Sequence, residues 1–277
     1  MIVDLHSHTT GSDGTFSPDE IINLANENNI EIFSITDHDN IDAIKELSNI
    51  TEDIFFIPGV EISAEFPKTL HILGYGIDIN NKELNNTLKE LQDFRKNRNE
   101  KMLKNMESFG FYITMEELIE EAKGEIVGRP HFANLMVKKG YVKTYQEAFD
   151  KYLKKGAPLY MDKKRLEPEK AIELIHNAGG ITVMAHPYQT KLEGNDLEEL
   201  IRKLKSYGLD GIEVYYSQHT KEMIEEYNYY AKKYELVKTA GSDFHGKNKP
   251  HISLGMDIVY NELHDFLCFI KGGFKIG

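Results

Sequence analysis

Short apolar runs, each closed by a polar turn, recur along the chain and alternate with stretches of helical periodicity. Ile2, Val3 and Leu5 form the first run, and His6 and His8 stand at its end. Alternate strand residues share a face, so a strand here points both imidazoles the same way. The loop Thr9-Thr-Gly-Ser-Asp-Gly14 follows, and its composition leaves Asp13 free to turn back towards the two histidines. Ser17-Pro-Asp-Glu20 reads as a helix start, with Ser17 as N-cap, Pro18 at the first helical position and Glu20 closing a capping box. Together with 2–6, apolar runs predict strands at 31–36, 54–61, 69–75, 181–185, 211–215 and 236–240. Helical stretches fall between them: one capped by Asp39 or Asn40, then Lys170–Asn177, Leu197–Tyr207 and Lys221–Tyr234. This alternation indicates a parallel α/β sheet or barrel, and that number of strands suits a closed one.

From about Lys82 to Leu159 the rhythm changes. Leu84, Leu88, Leu91 and Phe94, then Met102, Met106 and Phe109, recur at helical spacing with many charges between them. Helical stretches follow at Met115–Ala122, His131–Lys138 and Tyr145–Leu153. The expected organisation is therefore a barrel domain formed by 1–81 and 160–277, interrupted by a small all-helical insertion at 82–159. Gly128-Arg129-Pro130-His131 lies inside the insertion, where an Arg and a His at a helix start suit an anion or a metal, or an ordinary capping loop.

Composition narrows the classes. The 277 residues are 40% hydrophobic and 28% charged, ordinary values for a soluble globular protein. No apolar run nears the roughly 20 residues of a membrane span, and no basic-then-apolar leader is visible, so a cytoplasmic protein without a membrane partner is expected. One cysteine, Cys268, excludes an internal disulfide; its apolar neighbours suggest a packed core position. The net charge of −12 argues against an extended nucleic-acid surface. Eleven histidines and no tryptophan make histidine the unusual residue.

Histidines and carboxylates collect where strands give way to loops: His6 and His8, Asp37 and His38, Glu61, His186, and Asp243 and His245, with His71 in or near the fourth strand. In α/β folds the carboxyl ends of strands are where active residues gather. Neutral imidazole and carboxylate together suit Zn, Mn and Fe(II). The candidates outnumber the ligands of a single ion, so two or three ions sharing a carboxylate are expected. His176, His219, His251 and His264 lack this placement and read as structural or surface residues. Asp37 reads as an outer residue that orients an imidazole.

His6-x-His8, Asp13, Asp37-His38, Glu61, His71, His131, His186-Pro187 and Asp243-x-His245 resemble the full motif series of the PHP (polymerase and histidinol phosphatase) family, across almost the whole chain. The resemblance implies a distorted (β/α)7 barrel with a trinuclear metal centre. It implies His6, His8, Glu61 and Asp243 on one ion. Glu61 would bridge to a second with His71 and His131, and Asp13, His38 and His245 would hold a third. His186 would bind metal, contact phosphate or protonate the leaving group. The insertion with Gly128-Arg-Pro-His131 is similar to that of stand-alone PHP phosphoesterases acting on nucleotides. The implied enzyme is a metal-dependent hydrolase of phosphate monoesters of AMP, nucleoside 3′,5′-bisphosphates or short 5′-phosphorylated RNA. A metal-activated hydroxide would attack, with His186, Arg129 and Asp243 as catalytic residues. Arg129 would clamp the phosphate, and Tyr188 or Phe132 would stack on a base. Histidinol phosphate is the alternative substrate, and a non-catalytic, polymerase-associated metal domain the alternative class.

Overall fold

The computed structural model describes residues 1–48, 50, 53–122, 127–162 and 164–273. The chain divides into two compact units, Met1–Leu88 with Arg165–Gly277, and Lys89–Lys164.

The first unit is a mixed α/β structure with nine strands in two sheets among its described residues. One sheet holds β1 (Ile2–Asp4), β2 (Ile32–Phe33), β3 (Phe55–Phe56) and β9 (Met256–Asp257), in the order β3-β2-β1-β9. The other holds β4 (Gly59–Ser63), β5 (His71–Tyr75), β6 (Ile181–Met184), β7 (Gly211–Tyr216) and β8 (Val237–Gly241), in sequence order. The expected closed parallel barrel is therefore not what the ladders form. β4–β5, β5–β6 and β1–β9 pair antiparallel, and among the described residues no ladder joins the two sheets, which are linked by the isolated bridges Ser7 with Phe244 and His38 with Glu61 and by the bond from Leu5 N to Ala240 O. The run expected as one strand at 54–61 breaks at Ile57-Pro58 and feeds both sheets. Pro58 has no N–H to give a ladder, which favours a switch there.

Local signals explain the helices that position the site. α1 (Pro18–Glu27) begins with the capping box read from the sequence: Ser17 accepts from Glu20 N, and Glu20 accepts from Ser17 N. It buries Ile21, Ile22 and Ala25 against the first sheet, beside Phe33 and Ile35. α2 (Asp42–Lys45) has Ile41 at the N-cap position without a side-chain bond, and Asn40, one of the two expected caps, accepts from Asp42 N at 3.0 Å. α7 (Pro168–Asn177), α8 (Gly194–Ser206) and α9 (Lys221–Lys233) bury their apolar stripes on the outer face of the second sheet. Between the sheets lie Val3, Leu5, Leu73, Tyr75, Val183 and Ala240, closed off by Leu263, Phe266, Leu267 and Ile270 of α10 (Tyr260–Gly273). Each large apolar side chain sequestered this way contributes about 1.5–3 kcal/mol. Cys268, expected in the core, is exposed: it lies four residues from His264 on the outer face of α10. Among the described residues no helix is long and apolar enough to cross a membrane.

The second unit is helical. α3 (Lys82–Glu107) enters it, and α4 (Met115–Ala122), α5 (Arg129–Lys138), α6 (Tyr145–Ala148) and a π-helical turn (Phe149–Leu153) complete its regular structure. Met102, Met106, Phe111, Leu118, Phe132 and Met136 are buried together as its core.

Candidate metal centre

Strand β1 ends at Asp4, and the next four residues set out the site. Asp4 is fully buried and accepts from His6 N and Ser242 N with one oxygen and from Ser242 Oγ and Gly255 N with the other. Burial raises its carboxyl to about 6, against those four bonds. Asp4 thereby ties the start of the first sheet to the loop after β8. Leu5 N donates to Ala240 O, Asp243 N to His6 O, and His8 N to Phe244 O, so both motifs run side by side. The approach is close. A Cβ on Gly241 would lie 2.2 Å from the His6 Cβ, and one on Gly14 would lie 2.1 Å from the His8 carbonyl oxygen.

His6, His8, Asp13, Glu61, His186, Asp243 and His245 are buried, and His38 and His71 nearly so. Their ligand atoms converge in four overlapping sets: His8, Asp13, His38 and His245; His6, Glu61 and His186; His6, His8 and Asp243; and His38, Glu61 and His71. Glu61 is the hub. Its Oε1 lies 2.8 Å from His71 Nδ1 and 2.9 Å from His186 Nε2. Its Oε2 lies 3.4 Å from both His6 Nε2 and His8 Nε2, and 2.8 Å from His38 Nδ1. Asp243 Oδ1 sits 3.2 Å from His8 Nε2 and 3.6 Å from His6 Nε2. Asp13 reaches His245 Nε2 at 3.2 Å and His38 Nε2 at 3.4 Å.

Four of these atoms, His6 Nε2, His8 Nε2, His38 Nδ1 and Glu61 Oε2, are buried yet make no hydrogen bond. Buried polar atoms ordinarily find a partner, and an orphan costs about 1–3 kcal/mol. Here three imidazole nitrogens and a carboxylate oxygen face common points. That is the donor set and arrangement a divalent cation takes.

The electrostatics agree. Burial opposes charge on Asp13, Glu61 and Asp243, but the surrounding imidazoles hold all three well below the usual carboxylate range. Burial drives His8 down to about 3, with His245 and His38 adding to it, and drives His71 down to about 4 against the pull of Glu61. His38 moves the other way, up to about 9, because Glu61 and Asp13 outweigh its burial. His6 likewise rises well above the usual value through Glu213, Glu61 and Asp243. Three anionic carboxylates thus sit among imidazoles, two of which strongly resist protonation. Backbone strain accompanies the site: Asp39, His186 and Asp243 have φ of 49°, 25° and 59°, left-handed values uncommon for non-glycine residues.

Several residues near the centre depart from expectation or were not singled out by it. Asp37 orients no imidazole directly; it accepts from Thr9 N, Thr9 Oγ1 and Ser12 Oγ, bracing the loop that carries Asp13. Tyr216 Oη and Lys249 Nζ each donate to Asp243 Oδ2 at 2.7 Å, leaving Oδ1 to the cluster. Glu213, fully buried in β7, contacts both His6 and His186. A lone carboxylate inside an apolar strand is the signal that marks Asp4 and Glu213 in the sequence. Tyr188 is partly exposed, its ring 5.7 Å from that of Tyr216.

Arg129 and His131 belong to the helical unit. Arg129 donates to Leu153 O at 3.2 Å and lies 4.9 Å over the Tyr160 ring. His131 is buried, and its Nδ1 accepts from Gly128 N at 3.0 Å. Phe132 is fully buried in that unit's core and offers no face for stacking.

Residues 4–267 match the PHP domain family. The chain belongs to the PHP family. This PHP chain is 33% identical over 260 residues to the 5′-3′ exoribonuclease Rnm of Salmonella typhimurium, covering 92% of itself and 88% of that protein. It is 31% identical over 264 residues to the 3′,5′-nucleoside bisphosphate phosphatase of Chromobacterium violaceum, covering 94% and 91%. Among solved structures, an amidohydrolase from Chromobacterium violaceum with bound sulfate superposes with a TM-score of 0.76 at 30% identity, over 95% of this chain and 96% of that one.

Proposed function

We propose that this PHP-family phosphoesterase hydrolyses phosphate monoesters of nucleotides, such as AMP, nucleoside 3′,5′-bisphosphates or short 5′-phosphorylated RNA, with two or three divalent ions (Mn, Zn or Fe) at the cluster. The observation that carries the reading is the convergence of buried, unbonded His6 Nε2, His8 Nε2, His38 Nδ1 and Glu61 Oε2. The names of the relatives support the nucleotide class. We place the protein in the cytoplasm, and read its two sheets as a distorted barrel whose seams are the Ser7–Phe244 and His38–Glu61 bridges.

His6, His8, Asp13, His38, Glu61, His71, Asp243 and His245 would hold the ions, with Glu61 shared between sites. Divalent ions bound there would supply charge stabilisation at phosphoryl oxygens and would acidify a water towards neutral pH. The chain's own residues do the rest. His186, held 2.9 Å from Glu61 Oε1, would contact phosphate or give a proton to the departing alkoxide. Tyr216 and Lys249 fix Asp243. The partly exposed Tyr188 ring is our candidate for stacking on a base.

Arg129 as phosphate clamp and His131 as ligand rest on the family resemblance. His131 Nδ1 is the acceptor of the Gly128 N–H, which leaves Nε2 as the protonated nitrogen of a neutral ring. Ligation through Nε2 therefore requires the 128–131 turn to release that bond.

The test is phosphate release by the Mn(II)-loaded protein from AMP, adenosine 3′,5′-bisphosphate, a short 5′-phosphorylated RNA and histidinol phosphate. Faster turnover of the nucleotides is expected. Preference for histidinol phosphate would overturn the substrate class, and inactivity on all four would overturn the enzymatic reading.

A further inference from the structure

We infer that Glu213 is a positioning residue for the metal centre, whose single carboxylate sets the ligating nitrogen of His6 and the aim of His186. The inference rests on the proposed reading of His6 as a ligand. Glu213 lies in β7, fully buried, and is not a member of the four converging ligand sets. Oε1 is 2.9 Å from His6 Nδ1, and Oε2 accepts from His186 N at 2.7 Å.

Each contact has a chemical consequence. An ionised carboxylate only accepts, so His6 Nδ1 must carry a proton. In the neutral ring that ligation needs, Nε2 is then the lone-pair nitrogen, and it is the atom that points at Glu61 Oε2 and Asp243 Oδ1 without a hydrogen bond. The second contact grips the backbone where His186 adopts φ 25° and ψ 67°, a conformation that needs outside support. That residue's Nε2 reaches the other Glu61 oxygen. One side chain therefore locks two histidines that enter the site from β1 and β6, segments far apart in sequence.

The arrangement demands two acceptors on one group. Glutamine has the same shape but one acceptor oxygen and one amide donor. If its NH2 faces His186 N, two donors oppose each other and the strained turn loses its anchor. If it faces His6, Nδ1 must give up its proton and Nε2 becomes protonated, the wrong form for a ligand. Either orientation damages one of the two histidines.

The experiment uses the zinc-loaded full chain with 15N-labelled histidine, together with zinc titration against a competing chelator. In the wild type, the His6 proton is expected on Nδ1 and protected from solvent exchange. In Glu213→Gln, zinc affinity is expected to fall about 10- to 100-fold in either orientation, the range seen when outer partners of ligating histidines are removed, and the protected Nδ1 proton to disappear where the amide NH2 faces His6. A wild-type His6 protonated on Nε2 overturns the inference, and this measurement decides alone if the variant does not fold. A folded Glu213→Gln protein with unchanged affinity and an unchanged His6 signal also overturns it, while leaving the metal reading intact. Failure of the wild type to bind zinc sinks the metal reading itself, and this inference with it.

Discussion

Replacing Glu61 by Gln is the sharpest single perturbation the structure offers. The substitution preserves shape but removes the charge and one acceptor from a carboxylate that takes part in two of the four converging sets. Both oxygens are engaged, Oε1 with His71 and His186, Oε2 with His6, His8 and His38. An ion that binds only the folded state stabilises it by about 2.7 kcal/mol when present at 100 times its Kd. For a unit of the size of Met1–Leu88 with Arg165–Gly277, each kcal/mol moves Tm by roughly 2–4 °C. One ion is then worth about 5–10 °C, and two that share Glu61 about 10–20 °C. Thermal unfolding followed by circular dichroism, with chelator and then with saturating Zn(II) or Mn(II), measures the increment. The wild type is expected to show it, and Glu61→Gln to lose most of it. A variant that keeps the full metal-induced rise would refute the placement of Glu61 at the heart of a metal site.

Two further outcomes follow, one from a pair away from the cluster and one from a donor to Asp243. His176 Nε2 lies 2.8 Å from Asp210 Oδ2, and this hydrogen bond raises His176 against its partial burial, while His176 and Thr182 hold Asp210 low against its own. A raised imidazole stabilises the fold fully below its unfolded pKa of about 6.5 and loses that effect as pH rises through the folded value; the lowered carboxylate does the reverse on the acid side. The pair is thus strongest between about pH 4 and 6.5, and Asp210→Asn should return His176 to ordinary titration; an unshifted NMR titration curve in the variant would contradict the assignment. Lys249→Met removes one of the two donors that hold Asp243 Oδ2. Phosphatase activity at saturating metal is expected to drop about tenfold with the fold intact, and undiminished turnover would show that Tyr216 suffices.

The cluster of histidines and carboxylates was legible because residue types that could hold a metal recur at the places where apolar runs stop. The Ser17–Glu20 capping box was legible because every atom in it lies within four residues. Strand direction was not. Nothing in the periodicity of Leu70–Tyr75 says that β5 pairs antiparallel with both neighbours, since pairing is a long-range property. β9 is only two residues long, too short for any period to register. Cys268 was misread although its spacing held the answer: Leu263, Phe266, Leu267 and Ile270 define the inward face of α10, and Cys268 lies with His264 on the other. Asp4 and Glu213 are marked in the sequence as lone carboxylates in apolar runs, but their roles depend on partners from segments far away in sequence.

The side-by-side course of His6–His8 and Asp243–His245 bears on how the protein is made. A ribosome adding about 5–20 residues per second needs roughly ten to forty seconds to travel from Glu61 to Asp243. During that interval the emerging polypeptide exposes only part of the cluster, without Asp243 and His245. Under the proposed metal reading, discrimination among cations would fall to the finished molecule, after translation has passed His245.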